Sequence, residues 1–444
     1  MGKRFVAFCE RYADHFQLRT RQIGPQAQQY LCGLMQAERK NMERMAEVVP
    51  ESDDQVLQHF LSNSNWDERG VLDQVALEAD QLLGGEEDSA LLIDESGFTK
   101  KGKGSVGVAR QYNGRLGKTD NCQVGVFAAL SCGNRATLID TRLYLPESWT
   151  DDADRCTAVG IPKEAQIFKT KPELALEMVG YNRQLGVRFQ WVGMDALYGN
   201  TPFLLRALDD DDEIFVADVH SNQRIYLEDP KPRIPERKAN RGRPPTKAIT
   251  QCDPIEVAKW AQEQAESAWC RKELRHGTKG RLIVEVLHRE VWLWDGQEAA
   301  ARHWRLIVRR ECTDRNEIKY SLSNVPESTT VHRLAQMQGQ RYWIERSFED
   351  GKSQVGMGHY QARGWKSWNH HMALVMMAML FMLNERLTQE EEYPLLSCSD
   401  ITTLLARFLP RRDIHPDEVI RQMEVRHKKR RASIENAFKN QQLE

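Results

Sequence analysis

The sequence predicts an α/β fold in which a mixed β-sheet is flanked by helical N-terminal and C-terminal segments. Three observations predict this class. Apolar residues recur at helical spacing up to about residue 86, β-rich and helical segments alternate from Ser89 to Val219, and helical patterns return after Thr330. The 444 residues, 41% hydrophobic and 28% charged, are ordinary for a globular chain and exclude the disordered and collagen-like classes.

Residues 1–86 are predicted to form a helical domain that binds a polyanion. Apolar positions recur at helical spacing from Phe5 to Phe16 and again from Leu57 to Leu61. Residues 1–44 carry eight Lys or Arg against four acids, whereas residues 45–88 carry one against twelve. The basic first half favours contact with a polyanion, although a solvated helical face also explains such a run.

Residues 87–221 are predicted to form the first part of a sheet core. The segments SALLIDESGF, SVGVARQY, CQVGVFAALSC and RATLIDTRLYL are β-rich, are separated by Gly and Asn turn signals, and together are predicted to supply the first three neighbouring strands of the core. The helix PELALEMVGYNRQLG precedes a fourth strand, VRFQWVGMD, and the helix NTPFLLRAL precedes a fifth, EIFVADV. A mixed sheet with helical crossovers requires this order, and its first and fourth strands should be adjacent.

A β-rich insertion with a basic linker is predicted at residues 222–328. The linker carries seven basic residues against one Glu between Lys231 and Lys247. Its RGRP, Arg241 to Pro244, is similar to the core of an AT-hook, whose Arg side chains enter narrow minor grooves, but four residues are a weak signal and a solvated linker is the favoured interpretation.

The remaining chain is predicted to be helical. Residues 329–386 should complete the core, and residues 387–444 should form a basic C-terminal region that contains VRHKKRRAS. The apolar run Met372 to Leu383 is too short to span a bilayer and is predicted to be a buried helix. The nine cysteines are odd in number and never spaced C-x-x-C, which is typical of a reduced cytosol without a disulfide framework or zinc ribbon.

Two aspartates are candidate metal ligands because of where their strands end. Asp94 closes the first apolar strand and Asp195 closes the fourth, so adjacency of these strands would place the two carboxylates side by side. Like charges held together are costly unless a cation or proton compensates them, and magnesium prefers carboxylate oxygens. A turn or a helix cap is the alternative role for each residue alone.

A third acidic candidate, Glu345, lies on a predicted helix. Arg341, Glu345, Phe348 and Lys352 are spaced by four, three and four residues and therefore share one helix face. Solvent-side ion pairs are one interpretation of this face. The other is a partly buried metal ligand bracketed by phosphate-contacting bases, because Phe348 should point inward.

At these residues the sequence resembles the DDE superfamily of insertion-sequence transposases, which have an RNase H-like catalytic core. The resemblance runs roughly from Ser89 to Leu383. It is carried by IDESGFTKKGKGSVGVARQYNGRLGKTDNCQVGVF, GMDALYGN and RYWIERSFEDGKSQVGMGHYQARGW. It implies that Asp94, Asp195 and Glu345 are the catalytic, metal-binding triad. In a related family signature, Arg341, Glu345 and Lys352 match, but the position of its Tyr is Gln338 here.

The resemblance also implies an activity. Two Mg²⁺ ions about 4 Å apart, replaceable by Mn²⁺, would activate a water and then a DNA 3′-hydroxyl for attack on phosphorus. Double-stranded DNA would be the substrate, as transposon ends and target, and a homodimer would hold two ends together in the cytoplasm, at the bacterial nucleoid. A metal-dependent nuclease without strand transfer and a catalytically silent DNA-binding regulator are the alternatives.

The net charge of −2, from 62 Lys and Arg against 64 Asp and Glu, offers no overall basic signature of a DNA-binding protein. Basic residues are instead concentrated locally, since the stretch from 100 to 118 contains six Lys or Arg and no Asp or Glu. The predicted DNA-contacting residues are Lys100, Lys101, Lys103, Arg110, Arg115, Lys118, Arg241, Arg243, Arg341 and Lys352.

Overall fold

The fold is taken from a computed structural model that describes residues 1–236, 245–277 and 280–441. The AT-hook-like segment with Arg241 and Arg243 therefore lies outside the described residues, as does the side chain of Arg115.

The helices are α1 (Gly2–Glu10), α2 (Gly24–Gln36), α3 (Met42–Val48), α4 (Asp54–Ser62), α5 (Glu68–Leu83), α6 (Glu147–Thr150), α7 (Ala153–Ala158), α8 (Lys171–Leu185), α9 (Ala196–Gly199), α10 (Pro202–Asp210), α11 (Val257–Gln262), α12 (Val331–Gln340), α13 (Tyr342–Ser353), α14 (Trp365–Thr388), α15 (Cys398–Phe408) and α16 (Pro416–Gln441). The strands are β1 (Ala90–Thr99), β2 (Ala109–Asn113), β3 (Lys118–Cys132), β4 (Arg135–Leu143), β5 (Trp191–Met194), β6 (Phe215–Val219), β7 (Arg224–Ile225), β8 (Ile255–Glu256), β9 (Cys270–Gly277), β10 (Gly280–Leu293), β11 (Arg302–Glu311) and β12 (Ile318–Ser323).

The chain divides into two compact units, residues 72–349 and residues 1–71 with 350–444. In the first unit, β1 lies inside a mixed sheet. It pairs antiparallel with β3 and parallel with β5, β6 runs parallel to β5, and β4 pairs antiparallel with β3. The predicted RNase H-like α/β class is confirmed, and so is the adjacency of the first and fourth core strands.

The strands of the insertion extend this same sheet. β12 pairs antiparallel with β6, and β11, β10 and β9 follow in that order, while β7 and β8 form a separate two-stranded ribbon. One buried cluster includes Val219 of β6 together with Trp260 of α11 and Leu306 of β11. The insertion and the core strands are therefore joined by both hydrogen bonds and side-chain packing.

Two short sequence signals set the beginning and the end of α8. Thr170 and Glu173 form a reciprocal capping box at its start, with Pro172 in the first turn, and Gly186 ends it in the left-handed region at φ 96°. Its first residue, Lys171, is thereby fixed beside β1, where it bonds Glu95.

The second unit is helical. The predicted apolar run from Met372 to Leu383 is confirmed as a buried segment within α14. The rings of Phe5 and Phe8 pack against Phe381 at centroid distances of 4.9 and 5.4 Å. No helix among the described residues combines the length and apolar character needed to cross a membrane.

Candidate active site

Asp94 and Asp195 lie next to each other across two parallel strands. The last paired residues of β1 and β5 are Ile93 and Met194, and each aspartate follows directly. The prediction that Asp94 closes its strand is wrong, because β1 continues in antiparallel pairing with β3 as far as Thr99. Asp94 therefore lies at the point where the pairing of β1 with its parallel neighbour β5 ends.

Burial and neighbouring carboxylates raise the pKa values of both aspartates. Burial and the charge of Asp195 raise the pKa of Asp94 above its usual range, whereas Arg341 acts in the opposite direction. Burial and the charge of Glu95 raise the pKa of Asp195. Asp195 also caps α9 by accepting the Leu197 backbone N–H at 2.9 Å, so the helix-cap interpretation holds beside the functional one.

Glu95 adds a further carboxylate near Asp195. Successive residues of a strand point to opposite faces, and accordingly Glu95 contacts α8 while Asp94 faces Arg341. The Glu95 carboxylate accepts the Lys171 ammonium at 2.7 Å and the Tyr198 hydroxyl at 3.4 Å. Lys171 therefore supplies a cation on the far side of β1.

Asp218 is an acidic residue of the site that sequence reasoning missed. It lies on β6, adjacent to β5, and accepts the Ser321 hydroxyl of β12 at 2.6 Å. Ser321 in turn accepts the amide of Gln338 at 2.7 Å. A signal is present in the sequence, because the segment EIFVADV carries an Asp in its last two residues, after a run of apolar residues as Asp94 and Asp195 do.

Arg341 connects these carboxylates. Its guanidinium lies 3.4 Å from Asp94, 3.0 Å from Asp218 and 2.8 Å from Glu345, and the side chain is only 15% exposed. Burial alone would lower the pKa of Arg341, but the three carboxylates outweigh burial and raise it. One cation inside the protein thus partly balances three anions.

The helix face that carries Glu345 is arranged largely as predicted. Phe348 is buried, and its ring packs edge-on against Phe127 of β3 at 5.4 Å. Arg341 and Glu345 form the expected pair four residues apart. The Glu345 side chain is 49% exposed although its carboxylate pairs with Arg341, so the prediction of a partly buried carboxylate is wrong. Lys352 lies half-buried in the last turn of α13.

The chemistry of these donors suits a hard divalent cation. Asp94, Asp195, Glu345 and Asp218 offer only carboxylate oxygens, and the first two have raised pKa values that a nearby cation would lower. We therefore regard this end of the sheet as the candidate metal centre.

A second group of possible metal ligands lies elsewhere. In the described part of the chain, Glu290, His303 and Glu327 place ligand atoms within 4.8 Å of one another. Glu327 follows β12 at the N-terminal end of β6, whereas Asp195 lies at the C-terminal end of the parallel strand β5. We therefore do not assign the catalytic metal to this group.

The predicted DNA-contacting residues near β1 differ in exposure. Lys101, Lys103, Arg110 and Lys118 are exposed. Lys100 is half-buried, and burial lowers its pKa to about 8.

Comparison with known proteins identifies the family of the chain. A family model described as DDE superfamily endonuclease matches residues 11–281, which include Asp94 and Asp195. A protein of Microchaete diplosiphon named "Probable transposase for insertion sequence element IS701" is 26% identical over 326 residues, covering 73% of this chain and 72% of that protein. Among solved structures, the NurA nuclease from Sulfolobus solfataricus is 9% identical with a TM-score of 0.24, covering 73% of this chain and 93% of that one, a similarity too low to support an argument.

Proposed function

We propose, on the premise that this chain belongs to the DDE superfamily endonucleases, that it is a DNA transposase of an insertion sequence that cleaves transposon ends and joins them to target DNA. The observation that carries the proposal is the adjacency of Asp94 and Asp195 across β1 and β5. Arg341 contacts both Asp94 and Glu345. The similarity to a protein named as a probable insertion-sequence transposase supports this choice among metal-dependent nucleases.

Asp94, Asp195 and Glu345 would hold Mg²⁺, or Mn²⁺ in its place. Bound there, the metal would supply an activated water or 3′-hydroxyl nucleophile and stabilise the leaving oxygen at phosphorus. The protein's own residues contribute position and charge. Ser321 donates to Asp218, Asp218 pairs with Arg341, and Arg341 contacts both Asp94 and Glu345, which supports a shared role of these residues at the metal centre.

The cationic residues would bind the DNA backbone. Lys101, Lys103, Arg110 and Lys118 are exposed and lie on the segments that directly follow β1, so they can contact phosphates next to the cleaved bond. We expect Lys352 to contact a phosphate near the cleaved bond. Arg341 would do the same once it is released from a carboxylate. Two copies would act together, because excision requires both transposon ends to be held at once.

Joined products provide the test of this function. Purified protein is incubated with duplex DNA that carries the inverted repeats flanking its gene, a target plasmid and Mg²⁺. We expect both cleaved ends and covalent end–plasmid products, and neither with a duplex of scrambled repeats. Cleavage that never yields joined products would instead identify a nuclease without strand transfer.

A further inference from the structure

A two-stranded β-ribbon, formed by β2 and the first residues of β3, follows the last residue pair of β1 and β3, and its tip contacts β1. The pairing of β1 with β3 ends at Thr99 and Cys122, and from Lys118 to Asn121 the only described strand that pairs with β3 is β2. The ribbon turns through residues 114–117, where Gly117 adopts the left-handed region at φ 61°. This ribbon adds a small surface of its own to the core sheet.

The ribbon is anchored close to Asp94. The side chain of Asn113 lies against Gly97, where a Cβ atom would come within 2.7 Å of its Oδ1. Gly97 is three residues past Asp94, which corresponds to about 10 Å along a strand. That distance is about three steps of duplex DNA at roughly 3.4 Å each.

One face of the ribbon combines an aromatic ring with a cation. Arg110 pairs with Asn121 and Tyr112 pairs with Thr119, and paired residues share a face. Tyr112 is 58% exposed, although it is a large aromatic residue. Asp120, the one acid between residues 100 and 121, pairs with Gln111 and therefore lies on the opposite face.

A loop brings two more cations beside this face. The Asn121 amide donates to the carbonyl oxygens of Lys100 at 2.7 Å and Gly102 at 2.8 Å. Arg155 donates to the carbonyl of Lys103 at 3.1 Å. The backbone of the loop is thereby fixed, so its exposed ammonium groups need little ordering to bind an anion.

The charges of this face are uncompensated. Lys101, Lys103 and Arg110 form no ion pair within the described residues. Exposed cations around one exposed aromatic ring complement duplex DNA, in which phosphates flank base edges that include the apolar thymine methyl, and a two-stranded ribbon fits the roughly 12 Å major groove of B-DNA.

We propose that this ribbon is a groove-contacting element for duplex DNA, in which Tyr112 makes the apolar contact and Lys101, Lys103 and Arg110 contact the flanking phosphates. The inference rests on the proposed function, which makes duplex DNA the substrate. It adds that the DNA is gripped within about three base pairs of the cleaved phosphate.

The test measures the affinity for an end-containing duplex in EDTA, where no cleavage occurs, across a series of salt concentrations. Tyr112→Ala should weaken binding roughly fivefold at every salt concentration without changing the salt slope, because it removes an uncharged contact. Tyr112→Phe should retain the wild-type affinity. Arg110→Ala should flatten the slope by about 0.9 for its one phosphate contact.

Tyr393 provides a matched control, since it is 53% exposed but follows three glutamates. Tyr393→Ala should bind as the wild type does. Unchanged affinity of Tyr112→Ala, an altered salt slope for it, or a preference of the wild type for single-stranded DNA would each overturn the proposal. The proposed function can fail separately, because wild-type protein that binds duplex through Tyr112 but forms no joined products would refute only the transposase assignment.

Discussion

Asp94→Asn and Asp195→Asn, made singly, should each reduce end cleavage at least about a thousandfold while leaving DNA affinity in EDTA within about twofold. Asparagine keeps the shape of the side chain but removes the charge that would hold the metal. In the metal-free protein both pKa values are raised, so ionised carboxylates destabilise the folded state as pH rises above the unfolded-state pKa. We therefore also expect each variant to unfold at a higher temperature than wild type at pH 8 without metal.

Single-turnover cleavage rates and thermal unfolding in EDTA are the two measurements. Asp211→Asn is the matched control, because Asp211 is exposed in the turn after α10 and should alter neither quantity. Cleavage within tenfold of wild type in either site variant would remove that residue from the metal centre. An unfolding temperature below that of the wild type would show that the charge of the replaced aspartate is compensated in the metal-free protein.

Arg341→Ala should lower the free energy of unfolding of the metal-free protein by about 3 kcal/mol, because it leaves buried carboxylates without their cation. Millimolar Mg²⁺ should restore part of this loss, since it supplies positive charge to the same carboxylates. The free energy of unfolding of Arg341→Lys should lie between those of the wild type and Arg341→Ala, because an ammonium cannot bridge three carboxylates as a guanidinium does.

Urea unfolding with and without Mg²⁺ measures this effect. Arg346→Ala provides the comparison five residues further along, on α13, since the Arg346 pair with Glu349 is exposed on both sides and should contribute no more than about 1 kcal/mol. Equal losses in the two variants, or an Arg341→Ala protein that Mg²⁺ does not stabilise, would contradict the role of Arg341 as the internal counter-cation.

The sequence was sufficient to predict why Asp94 and Asp195 meet. Strand order and crossover connections are local signals, and together they make the first and fourth strands neighbours. The register could not be read in the same way, so β1 was expected to end at Asp94, whereas its pairing with β3 continues to Thr99.

The position of Arg341 was beyond sequence reasoning for a physical reason. Helical spacing relates Arg341 to Glu345 but says nothing about strands more than a hundred residues away. Its contact with Asp218 depends on the pairing of β12 with β6, a long-range register that also attaches the insertion to the core sheet. Arg341, which is predicted to contact phosphate, thus lies among carboxylates in the free protein. The role of Asp218 depends on the strands that pair with β6, which its own segment of sequence does not reveal.

The most direct measurement of the metal centre uses Fe²⁺ in place of Mg²⁺, with ascorbate and peroxide, so that radicals formed at the bound ion cut the nearby polypeptide. We expect fragments that end near residues 94, 195 and 345 and that disappear in Asp94→Asn. Fragments that end near residues 290 and 303 instead would place the ion in the insertion and contradict the Asp94, Asp195 and Glu345 site.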